Sequence, residues 1–106
     1  LYTRVHGISW PMVKDAPRFA EAWPPLADIT AGAAFFAAHN AGFDRRVLLA
    51  CCDAAGLAAP PLPFVCTVQL ARKRWRERGN SLPAVCGRLG IPLCHHDPLS
   101  DAEACA

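Results

Sequence analysis

Ala33-Ala34-Phe35-Phe36-Ala37-Ala38-His39-Asn40-Ala41-Gly42-Phe43-Asp44 is the stretch on which the fold turns. Its first half is a short, wholly apolar run between turn residues, which suits a strand buried on both faces. Its second half opens a helix, with Asn40 as the cap and Asp44 at the fourth helical position. That helix is predicted over about 41–55 and stops at Gly56. His96-Asp97-Pro98-Leu99-Ser100-Asp101 repeats the second half's grammar. There Asp97 reads as the cap, Pro98 as the first helical residue and Asp101 as the fourth. In both segments an aspartate follows a histidine by five residues. The residue before a cap and the fourth residue inside the helix meet in a hydrophobic staple, so each histidine is expected beside its aspartate. A histidine and a carboxylate together at a helix start suit metal-dependent chemistry on a phosphate.

Outward from these segments the punctuation is regular. Residues 1–11 read as irregular, with His6-Gly7-Ile8-Ser9 as a turn. Pro17 opens a helix to about Ile29 with Phe19, Trp23 and Leu26 on one face, and Trp23-Pro24-Pro25 is placed to interrupt or kink it. A Pro-rich connection over 57–63 leads to a second short strand, Phe64-Val65-Cys66, and Thr67 is the expected cap of a helix through about Arg76. Gly79-Asn80 is a turn. Ser81 caps a further helix with Leu82, Val85, Cys86 and Leu89 inward, ending at Gly90, and the last helix begins at Pro98. The order is α/β, but two strands cannot cover these helices. Missing strands are therefore expected before residue 1, and a start at Leu1 reads as a trimmed piece of a longer protein.

Bulk properties narrow the classes. At 106 residues the chain is one domain or less, and 53% hydrophobic content indicates a packed chain, not a disordered one. A net charge of +2 is too small for a general polyanion binder. The basic residues are clustered, however: Arg72, Lys73, Arg74, Arg76 and Arg78 lie together, and Arg45 and Arg46 follow Asp44. Such a cluster is either a solvated helix face or a surface that tracks a phosphate backbone. The six cysteines contain no C-x-x-C pair and suit buried free thiols in a reducing cytoplasm. Cys94-His95-His96 is the one Cys/His cluster, and it has no matching second half in the sequence, which leaves a zinc module poorly supported. No run is long enough to span a membrane and no signal-peptide pattern occurs.

The ordered motifs resemble the proofreading-type 3′–5′ exonucleases typified by the epsilon subunit of bacterial DNA polymerase III, the four-acid-plus-histidine branch of the ribonuclease-H-like fold. His6-Gly7-Ile8 is similar to the family's turn after its third strand, and Asp15-Ala16-Pro17-Arg18-Phe19 to its first helix entry. His39 to Asp44 resembles the second exonuclease motif. Thr67 to Arg74, then Asn80-Ser81-Leu82 and Cys86, resemble the connecting helices, and His96 to Asp101 followed by Ala102 the third motif. Pro98 stands where many members have Ala, a change the first helical turn tolerates. The resemblance implies that 1–106 is the C-terminal two-thirds of a single exonuclease domain of ribonuclease-H-like fold, with the central strands before residue 1.

One departure matters more. The family's first motif, Asp-x-Glu on a strand, is absent. The sole D-x-E here is Asp101-Ala102-Glu103. On a helix those two carboxylates point about 200° apart, at roughly 100° per residue, so they cannot grip a metal as strand neighbours do.

The resemblance further implies a bacterial, cytoplasmic enzyme that hydrolyses single-stranded DNA or a DNA 3′ end with two Mg²⁺ or Mn²⁺ ions, alone or with a DNA polymerase subunit. Asp44 and Asp101 would each supply a metal ligand, and His96 would take the proton from the attacking water. His39 is expected to pack and hydrogen-bond beneath the site, and His95 to lie at the surface. Asn40, Phe43 and His6 fall where the family meets the terminal nucleotide, with Phe43 either a stacking ring or ordinary core. A catalytically silent fragment or homologue that binds nucleic acid or a polymerase partner is the alternative.

Overall fold

Phe36 pairs with Phe64, Ala37 with Val65 and Ala38 with Cys66, in parallel. This two-stranded ladder organises a computed structural model that describes residues 2–76 and 79–106. The strands β1 (Phe36–Ala38) and β2 (Phe64–Cys66) are joined by the helix Ala41–Ala54. Parallel strands need such a crossover, because a tight turn would make them antiparallel. The ladder is extended by the Phe36 N–H, which donates to the Pro63 carbonyl at 2.8 Å. The Phe36 and Phe64 rings, opposite one another, lie 5.1 Å apart.

In chain order the helices are α1 (Thr3–His6), α2 (Trp10–Val13), α3 (Phe19–Ile29), α4 (Ala41–Ala54), α5 (Thr67–Arg74), α6 (Leu82–Leu89) and α7 (Pro98–Cys105). The crossover helix α4 rests on both strands and on α3, while α7 rests on β1 and α6. Between them sits a small core of Ala41, Cys52, Val68, Ala71, Leu82 and Cys86, small or medium side chains that let the elements approach closely. All six cysteines are free. Cys52 and Cys86 are buried as expected, Cys51, Cys66 and Cys105 are half-buried, and Cys94 is exposed.

Several expectations are corrected. Residues 1–11 are not irregular throughout: α1 and α2 are single helical turns, too short to leave a periodic signal. The expected turn is present, with Gly7 at φ 70° closing α1 through its N–H to the Thr3 carbonyl. Pro24 and Pro25 do not break α3. Both are exposed, so solvent can reach the carbonyls that their missing N–H groups leave unbonded. The Phe19 and Trp23 rings of α3 do share a face, stacked at 5.6 Å.

The apolar run 33–38 yields only a three-residue strand, and it is not buried on both faces. Phe35 is 51% exposed, and Ala37 is exposed as well. The physical cause is that β1 has a single strand neighbour, β2, among the described residues. In α6, Leu82 and Cys86 point inward as expected, but Leu89 is exposed, one turn beyond the packed part of the helix. Helix α5 ends at Arg74, before the predicted Arg76. Of the basic cluster, Arg72, Lys73, Arg74 and Arg76 are exposed, and Arg78 lies outside the described residues. Among the described residues, no helix is long and apolar enough to cross a membrane.

Candidate functional site

Two helix starts open onto one cleft of about 620 Å³. Asp44 stands in the first turn of α4 and Asp101 in the first turn of α7, and both line that cleft. His39, at the end of β1, and His95, just before α7, line it too. Each carboxylate lies in the first turn of its helix, at the positive end of the helix macrodipole. Asp44 is exposed and Asp101 half-buried, so the cleft presents two acceptor groups that are accessible from solvent.

The approach to α7 is tightly bonded. Asp97 caps the helix as expected, its carboxylate accepting the Ser100 N–H at 2.8 Å. The Ser100 hydroxyl in turn accepts the Cys94 N–H at 2.8 Å, clamping the preceding loop to the first turn. Asp101 reaches back the same way. Its Oδ2 accepts the His96 backbone N–H at 3.2 Å, and its Oδ1 meets His95 Nδ1 at 3.1 Å.

The expected His96–Asp101 pairing is therefore made by the backbone, and the imidazole against the carboxylate belongs to His95. The reason is local. His96 adopts a left-handed conformation, φ 71°, which redirects its side chain and leaves His95 facing Asp101. The His96 ring instead lies tilted against that of His95, with centroids 3.8 Å apart, and is exposed. His95 is exposed, as expected, and also lines the cleft.

His39 is committed elsewhere than the staple expected with Asp44. Its Nε2 lies 2.8 Å from the Asn80 carbonyl and its Nδ1 2.9 Å from the Thr67 hydroxyl. A carbonyl can only accept, so Nε2 carries the proton and Nδ1 accepts from the Thr67 hydroxyl. Thr67 is consequently the first residue of α5 and not its capping group; Cys66 occupies that position. Asn80 is buried, its Oδ1 accepting from Arg88 Nη1 at 2.9 Å. His39 does hydrogen-bond beneath the cleft, as expected, and joins the end of β1 to the start of α5 and to the segment leading into α6.

The two H-x-x-x-x-D segments also differ in backbone. Asn40 is itself left-handed, φ 76° and ψ 47°, and makes no side-chain capping bond, whereas Asp97 is extended and caps. The equal spacing is therefore not an equal geometry. Of the three residues expected to meet a nucleotide, none lines the cleft. His6 is exposed on α1, with Nδ1 accepting the Ile8 N–H at 3.0 Å. Asn40 is exposed at the start of α4. Phe43 is 57% exposed, which excludes the role of ordinary core and leaves its ring free beside Asp44.

Two thiols respond to this architecture. Burial pushes the Cys66 thiol up, but the backbone N–H groups of Gln69, Ala41, Asn40 and Val68 together outweigh it, and the net shift is downward. Its sulfur sits where the starts of α4 and α5 converge. Cys86 shifts upward, through burial first and then through the negative fields of Cys105 and Asp101. Neither effect could be read from cysteine spacing: two of the donors to Cys66, Ala41 and Asn40, come from a helix start distant in sequence, and Cys86 responds to burial and to Cys105 and Asp101 across the fold.

A sequence profile of the Exonuclease family matches residues 2–106. The DNA polymerase III subunit epsilon of Pasteurella multocida is 34% identical over 97% of this chain and 43% of its own length. Exodeoxyribonuclease 10 of Escherichia coli is 36% identical over 67% of the chain and 26% of its own length. The PolC-type DNA polymerase III of Bacillus cereus is 34% identical over 92% of the chain and 7% of its own length. The chain thus spans less than half the length of these curated relatives. No solved structure matches it.

Proposed function

The chain belongs to the exonuclease family, and from that premise we propose that it forms part of a metal-dependent 3′–5′ exonuclease domain acting on DNA 3′ ends. The observation that carries this is the convergence of Asp44 and Asp101, from two helix starts far apart in sequence, on one solvent-open cleft. Carboxylates are hard oxygen donors of the kind Mg²⁺ and Mn²⁺ take, so the residues present fit the family's ions in type. Asp44 and Asp101 would hold them. When bound, such ions polarise a phosphate and lower the pKa of a coordinated water.

The chain's own residues do the rest. His95 and the His96 N–H fix the two oxygens of Asp101, so its orientation is set before any ion arrives. His96, exposed and adjacent to His95 though not itself lining the cleft, takes the proton from the attacking water. Phe43 and Asn40, exposed beside Asp44, meet the terminal nucleotide, with the Phe43 ring offered for stacking. His6 contacts the same nucleotide. The two-stranded sheet is one edge of a larger ribonuclease-H-like sheet, 1–106 being the C-terminal two-thirds of the domain. This role places the protein in the bacterial cytoplasm, with a DNA polymerase as partner.

A catalytically silent homologue that binds nucleic acid or a polymerase is favoured by one observation. Among the described residues, Asp44 and Asp101 are the two carboxylates lining the cleft, and the chain has no Asp-x-Glu on a strand. A 3′-labelled single-stranded oligonucleotide, incubated with the whole protein and Mg²⁺, separates the two. Release of labelled mononucleotide, abolished by Asp44→Asn and by Asp101→Asn, is the expected result. DNA binding without hydrolysis in the whole protein would establish the silent homologue instead.

A further inference from the structure

Cys94-His95-His96 lacks a metal-binding partner in the linear sequence, and the fold supplies one. The ligand atoms of His95, His96 and Asp101 all lie within 4.8 Å of one another. His95 Nδ1 and Asp101 Oδ1 are already 3.1 Å apart. Ligands about 2.0–2.1 Å from a tetrahedral zinc ion stand roughly 3.3 Å from each other, so this pair is nearly at the required edge length. The His96 ring is exposed and lies against that of His95, with centroids 3.8 Å apart and planes tilted by 31°. The loop that carries both histidines is clamped to α7 through Cys94, Ser100 and Asp97, so the three donors are held together by bonds independent of a metal.

We propose that His95, His96 and Asp101 form a binding site for one transition-metal dication of the zinc class. Two imidazoles and a carboxylate suit zinc, cobalt or ferrous iron and are a poor set for Mg²⁺, which prefers oxygen donors and retained waters. Three protein ligands leave a fourth position open to water or a phosphate oxygen. The site takes Asp101 and His96 away from the chemistry assigned to them above, so its occupation suppresses Mg²⁺-dependent hydrolysis. That consequence rests on the proposed nuclease activity; the binding itself does not.

The test is a titration of the protein with Co²⁺, followed by its visible d–d absorption, and then displacement by Zn²⁺. One equivalent is expected to bind with tetrahedral intensity and without a thiolate charge-transfer band. His95→Ala is expected to weaken binding about tenfold or more, since even loss of a group supporting a ligand costs that much. Circular dichroism confirms that this exposed substitution leaves the fold intact. Cys94→Ser is expected to leave the affinity unchanged. A thiolate band, dependence on Cys94, or indifference to His95→Ala would overturn the site. In the nuclease assay with excess Mg²⁺, Zn²⁺ inhibits the unmodified protein and His95→Ala requires about tenfold more zinc for the same inhibition. Zinc bound through His95 with undiminished hydrolysis would overturn the sharing of Asp101. Binding as described in a protein with no hydrolysis would refute the nuclease activity and leave the metal site standing.

Discussion

His39 carries two hydrogen bonds that join three elements, and their loss has a calculable direction. His39→Phe keeps the ring volume but leaves the Asn80 carbonyl and the Thr67 hydroxyl without that partner. Each part-buried group so abandoned costs about 1–3 kcal/mol, and urea denaturation of the variant should show a lowered midpoint with an unchanged slope. His96 and Asp101 separate differently. His96→Ala leaves both carboxylates in place and should slow single-turnover hydrolysis by about a hundredfold to ten-thousandfold at saturating Mg²⁺. Asp101→Ala should abolish activity through lost metal, with excess Mn²⁺ rescuing little. If His96→Ala loses Mg²⁺ affinity while keeping its metal-saturated rate, His96 is a ligand and not a base. The positions of Asp44, Asp101 and the supporting His39 were legible from the strand, cap and helix signals around them. That His95 rather than His96 holds Asp101 was not, because it goes with a single left-handed residue, and positive φ is a weak tendency of histidine that does not single out one of two adjacent histidines.

The helix ends sort by whether their caps are made by side chains or by backbone geometry. Asp97 and Ser81 accept the N–H groups of Ser100 and Ala84, and both were readable because these side chains have few other uses before an apolar run. Asn40 and Thr67 carry the same signal and do something else, one left-handed and the other engaged by His39. The difference gives a paired prediction. Asp97→Ala should cost about 1 kcal/mol in thermal or chemical unfolding, the usual value of a lost cap. Asn40→Gly should be neutral or stabilising, since no capping bond is lost and positive φ suits glycine, whereas Asn40→Val should cost about 1–2 kcal/mol. A marked loss from Asn40→Gly would mean that the Asn40 side chain supports the fold in some other way. The single-turn helices α1 and α2 escaped prediction for a related reason: four residues do not complete two helical periods, so neither shows a face.

At the scale of the molecule, the apolar surface is out of proportion to the core. Phe35, Phe43, Trp10, Leu26 and Leu99 are exposed, while among the described residues the buried apolar set is six residues of modest size. The 106 residues alone should therefore associate as concentration rises, through the open side of β1, and light scattering should detect it. Phe35→Lys should reduce that association. The same 106 residues should show no robust Mg²⁺-dependent degradation of single-stranded DNA, because two carboxylates are too few to hold a close pair of cations against their repulsion. Activity from these residues alone would show that other donors complete the site. The α/β character and the order of elements were visible in the sequence, but the extent of β1 was not, since strand length depends on the neighbours available and not on the run of apolar residues. The parallel β1–β2 ladder has a kinetic consequence as well. Its two strands cannot zip together from a turn; β1 must wait for its pairing with β2 until all of α4 and the Pro-rich connection have been made. During synthesis the Phe35-Phe36 segment therefore leaves the ribosome before β2 does, so this apolar segment is open to mispairing until the ladder closes.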